Sequence, residues 1–355
     1  MARSFVSVLI DTYNHERFIE QAITSVLEQD FPASEREIIV VDDGSIDRTP
    51  EIVGKFAPRV RLLRKSNGGQ ASAFNVGIPE CRGEIIAFLD GDDWWALGKL
   101  RRVVDAMARD STIAMCGHAT VESFENGSER VVALEQPERL QLTTVPAAQR
   151  FRLLRAYLGT SRLTLRAEIA HKILDVPEAL VIEADEYLFT LAATLAEFVI
   201  LKEPLTHYRI HAGNLFLAAG SNPLANRRKQ RVLAALAAVL RSVLPTYGAP
   251  REVADCVLEL VEAEAEQLRL MLDGGMPRET YRTEGTIYRI QHGDATWKQK
   301  LFREVTMLPA LLLPPRWFYA VRRWLGGQLW YKRMRTKLLP VPGFTKITSQ
   351  RYLDE

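Results

Sequence analysis

Cysteine is scarce in this sequence: Cys81, Cys116 and Cys256 are the only three, widely spaced and never in a Cys-x-x-Cys pair. An odd, scattered set excludes a disulfide framework and a structural zinc site, and it fits a reducing compartment. Long apolar runs are missing too, since no segment approaches the roughly 20 residues a membrane-spanning helix needs. The amino terminus enters a strand within a few residues. That leaves no room for the charged segment, apolar stretch and cleavage site of a secretory signal, so a cytoplasmic protein is expected. Neither an internal repeat nor a sustained heptad pattern is present. Acids are absent from residues 305–351, where nine Lys or Arg occur, and only Asp354 and Glu355 follow. The same stretch holds Trp317, Trp324 and Trp330, three of the six tryptophans, beside the apolar run 307–313. Tryptophans and basic residues together fit a segment lying on an anionic membrane surface, peripheral at the inner membrane face. The alternative is a basic helical cap packed on the main domain. No recognised module accompanies the charge, so nucleic acid is not an expected partner.

What is present suffices for a large core. With 355 residues, 47% hydrophobic and 25% charged, the chain should hold one large domain and an appendage. Residues 5–120 alternate strand and helix. Strands are expected to residue 10, to residue 41, at 60–63, at 84–89 and at 113–117, and helices at 16–29, 48–56, 70–78 and 99–108. This order predicts an α/β fold built on a doubly wound, mostly parallel sheet with right-handed crossovers. Residues 121–146 are polar, contain the hairpin-like Asn126-Gly127, and read as an insertion. Helices follow at 147–158, 167–174 and 184–195, with short strands at 162–165 and 199–201. The segment HYRIHAGN, 207–214, closes a first domain of residues 1–220. Residues 221–355 form a helical C-terminal region with the basic, Trp-containing tail.

The sharpest local feature is GEIIAFLDGDDWW, 83–95. Ile85, Ile86, Ala87, Phe88 and Leu89 read as a fully buried strand that delivers Asp90, Asp92 and Asp93 to its carboxyl end, where open α/β sheets bind ligands. Clustered carboxylates repel one another unless a cation neutralises them. Hard oxygen ligands on a short turn suit Mg²⁺ or Mn²⁺ completed by substrate phosphates, so a diphosphate-bearing substrate is expected. An isolated Asp-x-Asp is usually a solvated turn. Here two further apolar strands, EIIVVDDGS at 37–45 and VSVLIDTYN at 6–14, also end in polar groups, which points to one binding edge. The stretch NGGQASAFNVG, 67–77, lacks the Gly-x-Gly-x-x-Gly pattern of a nicotinamide enzyme.

In order and spacing, VSVLIDTYN, VVDDGSIDRT (40–49), NGGQASAFNVG, the Asp90-x-Asp92-Asp93 cluster, ADEYLF (184–189) and YRIHAGN (208–214) resemble the family 2 glycosyltransferases. These are nucleotide-sugar-dependent enzymes of the GT-A fold, and the resemblance covers residues 5–214. It implies that Thr12 and Tyr13 cradle the nucleobase, Tyr13 by stacking. Asp11, counted with the nucleotide-sugar-binding residues, stands where many relatives have Pro or Thr. Asp43 is implied to accept a hydrogen bond from the base, which favours uracil, while Asp42 shapes the turn with Gly44 and Ser45. Gly69 opens the backbone to the nucleotide sugar at a helix start. Asp90 is implied to contact ribose or a metal-bound water, Asp92 to ligate the metal, Asp93 to orient the sugar, and Trp94 to wall it. His211 is implied to reach metal or phosphate, and Arg209 to hold its loop through a salt bridge. Gly159, Thr160 and Ser161 fall where relatives line the acceptor pocket.

ADEYLF supplies the implied general base, which takes the acceptor's proton while the metal stabilises the departing diphosphate. Asp185 and Glu186 point about 100° apart on a helix, so one of them faces the site. Asp185 is preferred, Glu186 is the alternative, and Glu183 reads as a solvated charge at the helix start. The implied activity is inverting, metal-dependent transfer from a nucleoside diphosphate donor, UDP-linked, to an acceptor hydroxyl in cell-surface glycan synthesis. The acceptor is expected to be a glycan or a lipid-linked one. Two other readings use the same acids: a metal-dependent phosphohydrolase or nucleotidyl transferase, and a non-catalytic nucleotide-sugar binding or assembly subunit.

Overall fold

The computed structural model describes residues 4–211, 214, 222–292, 296–328 and 345–347. The first half comprises β1 (Val6–Thr12), α1 (Ile19–Leu27), β2 (Arg36–Asp42), α2 (Thr49–Gly54), β3 (Arg61–Arg64), α3 (Gln70–Gly77), β4 (Ile85–Asp90), β5 (Trp94–Trp95) and α4 (Lys99–Ala108). Next come β6 (Ile113–Phe124), β7 (Glu129–Ala133), β8 (Glu138–Leu140), α5 (Val145–Leu154), β9 (Thr164–Arg166), α6 (Ala167–Ile173), α7 (Ala184–Leu195) and β10 (Glu197–Ile210). The helices α8 (Pro223–Val243), α9 (Arg251–Asp273), α10 (Pro277–Gln291), α11 (Trp297–Leu312) and α12 (Pro315–Gly327) follow, and β11 (Thr345–Ile347) ends the described chain.

The strands form one sheet in the order β11-β7-β6-β9-β4-β1-β2-β3, with β10 alongside β6 and reaching β5 and β8. Strands β3, β2, β1 and β4 run parallel. Antiparallel β9 joins β4 to β6, and the long β6–β10 ladder is again parallel. The expected mixed, mostly parallel α/β sheet with a helical C-terminal region is what forms.

Successive residues of β1 are buried because both faces of the sheet are covered. Side chains alternate between faces, and the core divides accordingly. Val6, Val8 and Ile10 join Ile38, Val40, Leu89 and the inner sides of α1 and α4. Leu9 joins Ile39, Val41, Phe74, Phe88 and the inner sides of α5, α7, α8 and α9. Each fully buried side chain of this kind contributes about 1.5–3 kcal/mol. The same alternation turns Asp11, Asp43 and Asp90 toward the Leu9 face. The Ala- and Leu-rich helices α8 and α9 thus share the main core, with Leu236 and Val261 in one cluster with Phe151 and Leu188.

Three expectations change. Residues 121–146 are not a mere insertion: β6 continues through Phe124, and Gly127, in the left-handed region, turns it into β7. His118 and Thr120 are polar but buried within β6, which hides the strand from an apolar-run reading. Strand β10 extends far beyond 199–201 to Ile210, carrying His207–Ile210 beside β6 and β5. Trp94 and Trp95 themselves form β5, paired antiparallel with β10. Ala212, Gly213 and Trp330 lie outside the described residues.

Candidate active site

Asp11 and Asp90 are directly paired in the β1–β4 ladder, so their side chains leave the same face side by side. The chain turns at Gly91, whose N–H donates to the Asp11 carbonyl at 2.9 Å, and presents Asp92 and Asp93 beside them. Gly91 is required there, because a Cβ would lie 2.5 Å from the Thr12 hydroxyl oxygen. Burial first, then the neighbouring acids, push the Asp11 carboxyl up to about 8, and Asp92, Asp185 and Asp43 are those neighbours. Burial followed by Asp11, Asp93, Asp92 and Asp185 holds Asp90 well above the ordinary range. Burial and Asp92 lift Asp93 to about 8. Asp92 moves the other way: burial pushes it up, yet His211 and His15 outweigh that and keep it below the usual carboxylate range. The His211 Nε2 donates to Asp92 Oδ2 at 3.0 Å, and His15 Nε2 lies 3.9 Å from the same oxygen.

Asp185 and Glu186 separate as the helix geometry requires. The Asp185 Oδ2 accepts from the Thr160 N–H at 2.9 Å and from the Thr160 hydroxyl at 3.0 Å. Gln70 at the start of α3 supports both groups, donating to the Thr160 hydroxyl at 2.9 Å and accepting from the Ala184 N–H at 3.0 Å. Glu186 instead turns away, buried against Arg155 at 2.7 Å, and Arg155 also reaches Glu264 of α9 at 3.3 Å. Burial outweighs Arg155 and raises Glu186 to about 8. Glu183 is not a solvated charge: its backbone is left-handed, and its largely buried carboxylate pairs with Lys229 of α8 at 3.5 Å.

Asp43 organises a loop. Its Oδ1 accepts from Lys65 Nζ at 2.6 Å and the Gly68 N–H at 2.9 Å. Its Oδ2 accepts from Asn67 at 3.2 Å and the Gly69 N–H at 2.7 Å. Four donors occupy all four lone-pair directions of the carboxylate, so in this conformation it braces residues 65–69 and has no acceptor left for a base. Asp42 shapes the turn as expected, accepting from the Ser45 N–H at 3.0 Å. Thr12 is buried, its carbonyl accepting from the Asp43 N–H at 2.9 Å, whereas the Tyr13 side chain is open to solvent.

Trp94 does not stand free beside the acids. Its ring stacks on His207 at 4.8 Å, and the Arg209 guanidinium lies 4.4 Å from its centroid. Arg209 braces the turn through hydrogen bonds. Its N–H donates to Asp93 Oδ1 at 2.8 Å and its Nε to the Asp92 carbonyl at 2.7 Å. Ser161 was expected only as pocket lining, yet it knits the site together. Its carbonyl accepts from Trp95 Nε1 at 3.2 Å, Lys99 Nζ at 2.8 Å and the Thr206 hydroxyl at 2.7 Å, while its hydroxyl bonds Asp90. Lys99 is fully buried, and burial lowers its pKa well below the ordinary range. Ser161, Lys99, Gln70 and His15 escape sequence reasoning because their roles depend on tertiary neighbours; a lysine on an amphipathic helix reads as solvated.

Among the described residues no three His, Cys, Asp or Glu converge tightly enough to hold a metal alone. Asp11 Oδ1 and Asp93 Oδ2 are nevertheless buried without hydrogen-bond partners. An acid cluster short of counter-charge, with Asp92 and His211 at its rim, fits a hard cation completed by substrate oxygens rather than a full protein cage.

Residues 7–166 match the glycosyl transferase family 2. An uncharacterized glycosyltransferase of Nostoc sp. is 31% identical over 223 residues, which cover 61% of this chain and 68% of that protein. Chondroitin synthase of Pasteurella multocida is 33% identical over 154 residues, 42% of this chain but only 16% of that protein. The structure of Staphylococcus aureus TarS 1–349 in complex with UDP-GlcNAc shares the fold, with a TM-score of 0.57 and 19% identity over 91% of this chain and 92% of that one. The chain belongs to glycosyl transferase family 2, and it is an enzyme of the glycosyltransferase class.

Proposed function

We propose that this chain transfers a sugar from a UDP-linked donor to an acceptor hydroxyl with inversion, Asp185 serving as the base. The observation that carries the reading is the convergence of Asp11, Asp90, Asp92 and Asp185 on one edge, where Asp11 and Asp90 pair in the β1–β4 ladder and Asp92 and Asp185 lie close enough to raise both carboxyls. Asp185 takes the proton of the acceptor hydroxyl, whose oxygen forms a bond to C1 as the bond from C1 to the diphosphate oxygen breaks. The electron pair leaves with the diphosphate, and no enzyme nucleophile is needed. Mn²⁺ or Mg²⁺, held by Asp92 and His211, would supply counter-charge for that leaving group. Asp93 and Asp90 orient sugar and ribose, and Tyr13 offers the base a stacking face. Asp11 raises the acid density that calls for the cation. Gly69 lets the donor approach the 65–69 loop, and Trp94 supports the sugar side from its place between His207 and Arg209. The acceptor is a glycan or lipid-linked glycan of cell-surface polysaccharide synthesis. Chondroitin synthase, a matched relative, and the UDP-GlcNAc in the TarS complex support a polysaccharide product and a uridine donor.

The test is Mn²⁺-dependent UDP release from a panel of UDP-sugars with glycan acceptors. Asp185→Asn is expected to lower kcat roughly 10²–10⁴-fold with little change in donor KM. If Glu186→Gln produced that loss and Asp185→Asn did not, the base would be Glu186.

A further inference from the structure

Helices α11 and α12 are amphipathic in reverse. On α11, Leu301, Val305, Leu308 and Leu312 recur at helical spacing on the side open to solvent. On α12, Trp317, Val321 and Trp324 do the same, and these seven side chains are 43–79% exposed. The opposite sides are already satisfied: Ala310, Phe318 and Tyr319 pack on Leu270 of α9, and Arg322 pairs with Glu284 of α10. The cap expected as the alternative therefore exists on the inner side, and a second, apolar side remains on the outer one. Seven exposed large apolar side chains at helical spacing on two successive helices mark an interaction site rather than scattered exposure.

We infer that the outer sides of α11 and α12 lie on an anionic lipid surface. Three observations select lipid. Residues 296–328 carry six Lys or Arg against one acid, Glu304, which is held by Tyr281 and Arg303. Lys300, Arg316 and Arg323 are exposed beside the apolar strip, Arg323 also reaching Met271 Sδ at 3.4 Å, and lipid phosphates would meet them while the tryptophans sit at headgroup depth. The helices have 16 and 13 residues, and no helix among the described residues is long and apolar enough to cross a membrane, so they can lie flat but not span. A second copy on the same strip would bring these cations against their symmetry mates, which disfavours that occupant. The inference stands on the two helices and is independent of the sugar-transfer reading.

Flotation of the full chain with vesicles of phosphatidylcholine and phosphatidylglycerol in equal parts, against pure phosphatidylcholine, tests it. The wild type is expected to float with the anionic vesicles only, and to be released by high salt. Trp317→Ser combined with Trp324→Ser should weaken binding at least about tenfold. Arg316→Gln and Arg323→Gln should each weaken it about fivefold. The arginine variants decide the matter if the tryptophan variant melts early. Failure of the wild type to float, or flotation unchanged in the arginine variants, would overturn the inference. So would a dimer in sedimentation velocity that the tryptophan variant abolishes in a protein that ignores vesicles.

Discussion

Asp185 and Glu186 are adjacent in sequence and differ in surroundings, because one helical step turns the first toward Thr160 and the second into the Arg155 pair. The burial of Glu186 is measurable without substrate. Burial lifts Glu186 to about 8, so the folded chain holds a proton there that the unfolded chain releases near its ordinary value. Its stabilising contribution is complete below that ordinary value and is lost as pH rises through about 8. Glu186→Gln carries no such proton. Melting temperatures of variant and wild type should therefore shift relative to each other between pH 6 and pH 9, in the variant's favour at high pH. A constant offset across that range would mean that Glu186 is ionised throughout. At this scale the acids and His211 were legible, since each ends an apolar strand or belongs to a motif. Asp43 and Trp94 were legible as site neighbours but not in their engagements: Lys65 and the 67–69 amides take the first, and β10 brings His207 and Arg209 to the second.

The site hangs on three short elements: the 65–69 loop, the turn at Thr160–Arg162 and the first turn of α7. Gly69 joins two of them. Its φ is +85°, and a Cβ would lie 2.6 Å from the Val181 backbone just before α7. Gly69→Ala must strain the loop that Asp43 and Gln70 hold. A loss of about 2–4 kcal/mol of stability is expected, read by urea denaturation, together with weaker UDP-sugar binding. Wild-type behaviour in both would show that the loop yields freely. The parallel strands and their helices were readable because continuous apolar runs alternate with amphipathic ones. The far reaches of β6 and β10 were not, since His118, Thr120, Thr206 and His207 interrupt the apolar signal even where the backbone stays paired. Nor could sequence show that Glu183 would cap α7 from a left-handed conformation while paired to α8.

On the scale of the whole molecule, the helices after residue 222 are built into the enzyme. Arg155 and Lys229 tie α9 and α8 to the start of α7, and the apolar sides of both helices complete the core beneath it. The outer strip of α11 and α12 stays open to solvent. In the proposed function the acid edge binds a uridine diphosphate through a cation. Calorimetric titration of the full chain with UDP, GDP and dTDP, each with Mn²⁺ and with EDTA, tests this. UDP binding with Mn²⁺, loss of that binding in EDTA, and at least about tenfold weaker binding in Asp92→Asn are expected. Equal UDP affinity with EDTA and in Asp92→Asn, or no binding of any nucleotide, would contradict it.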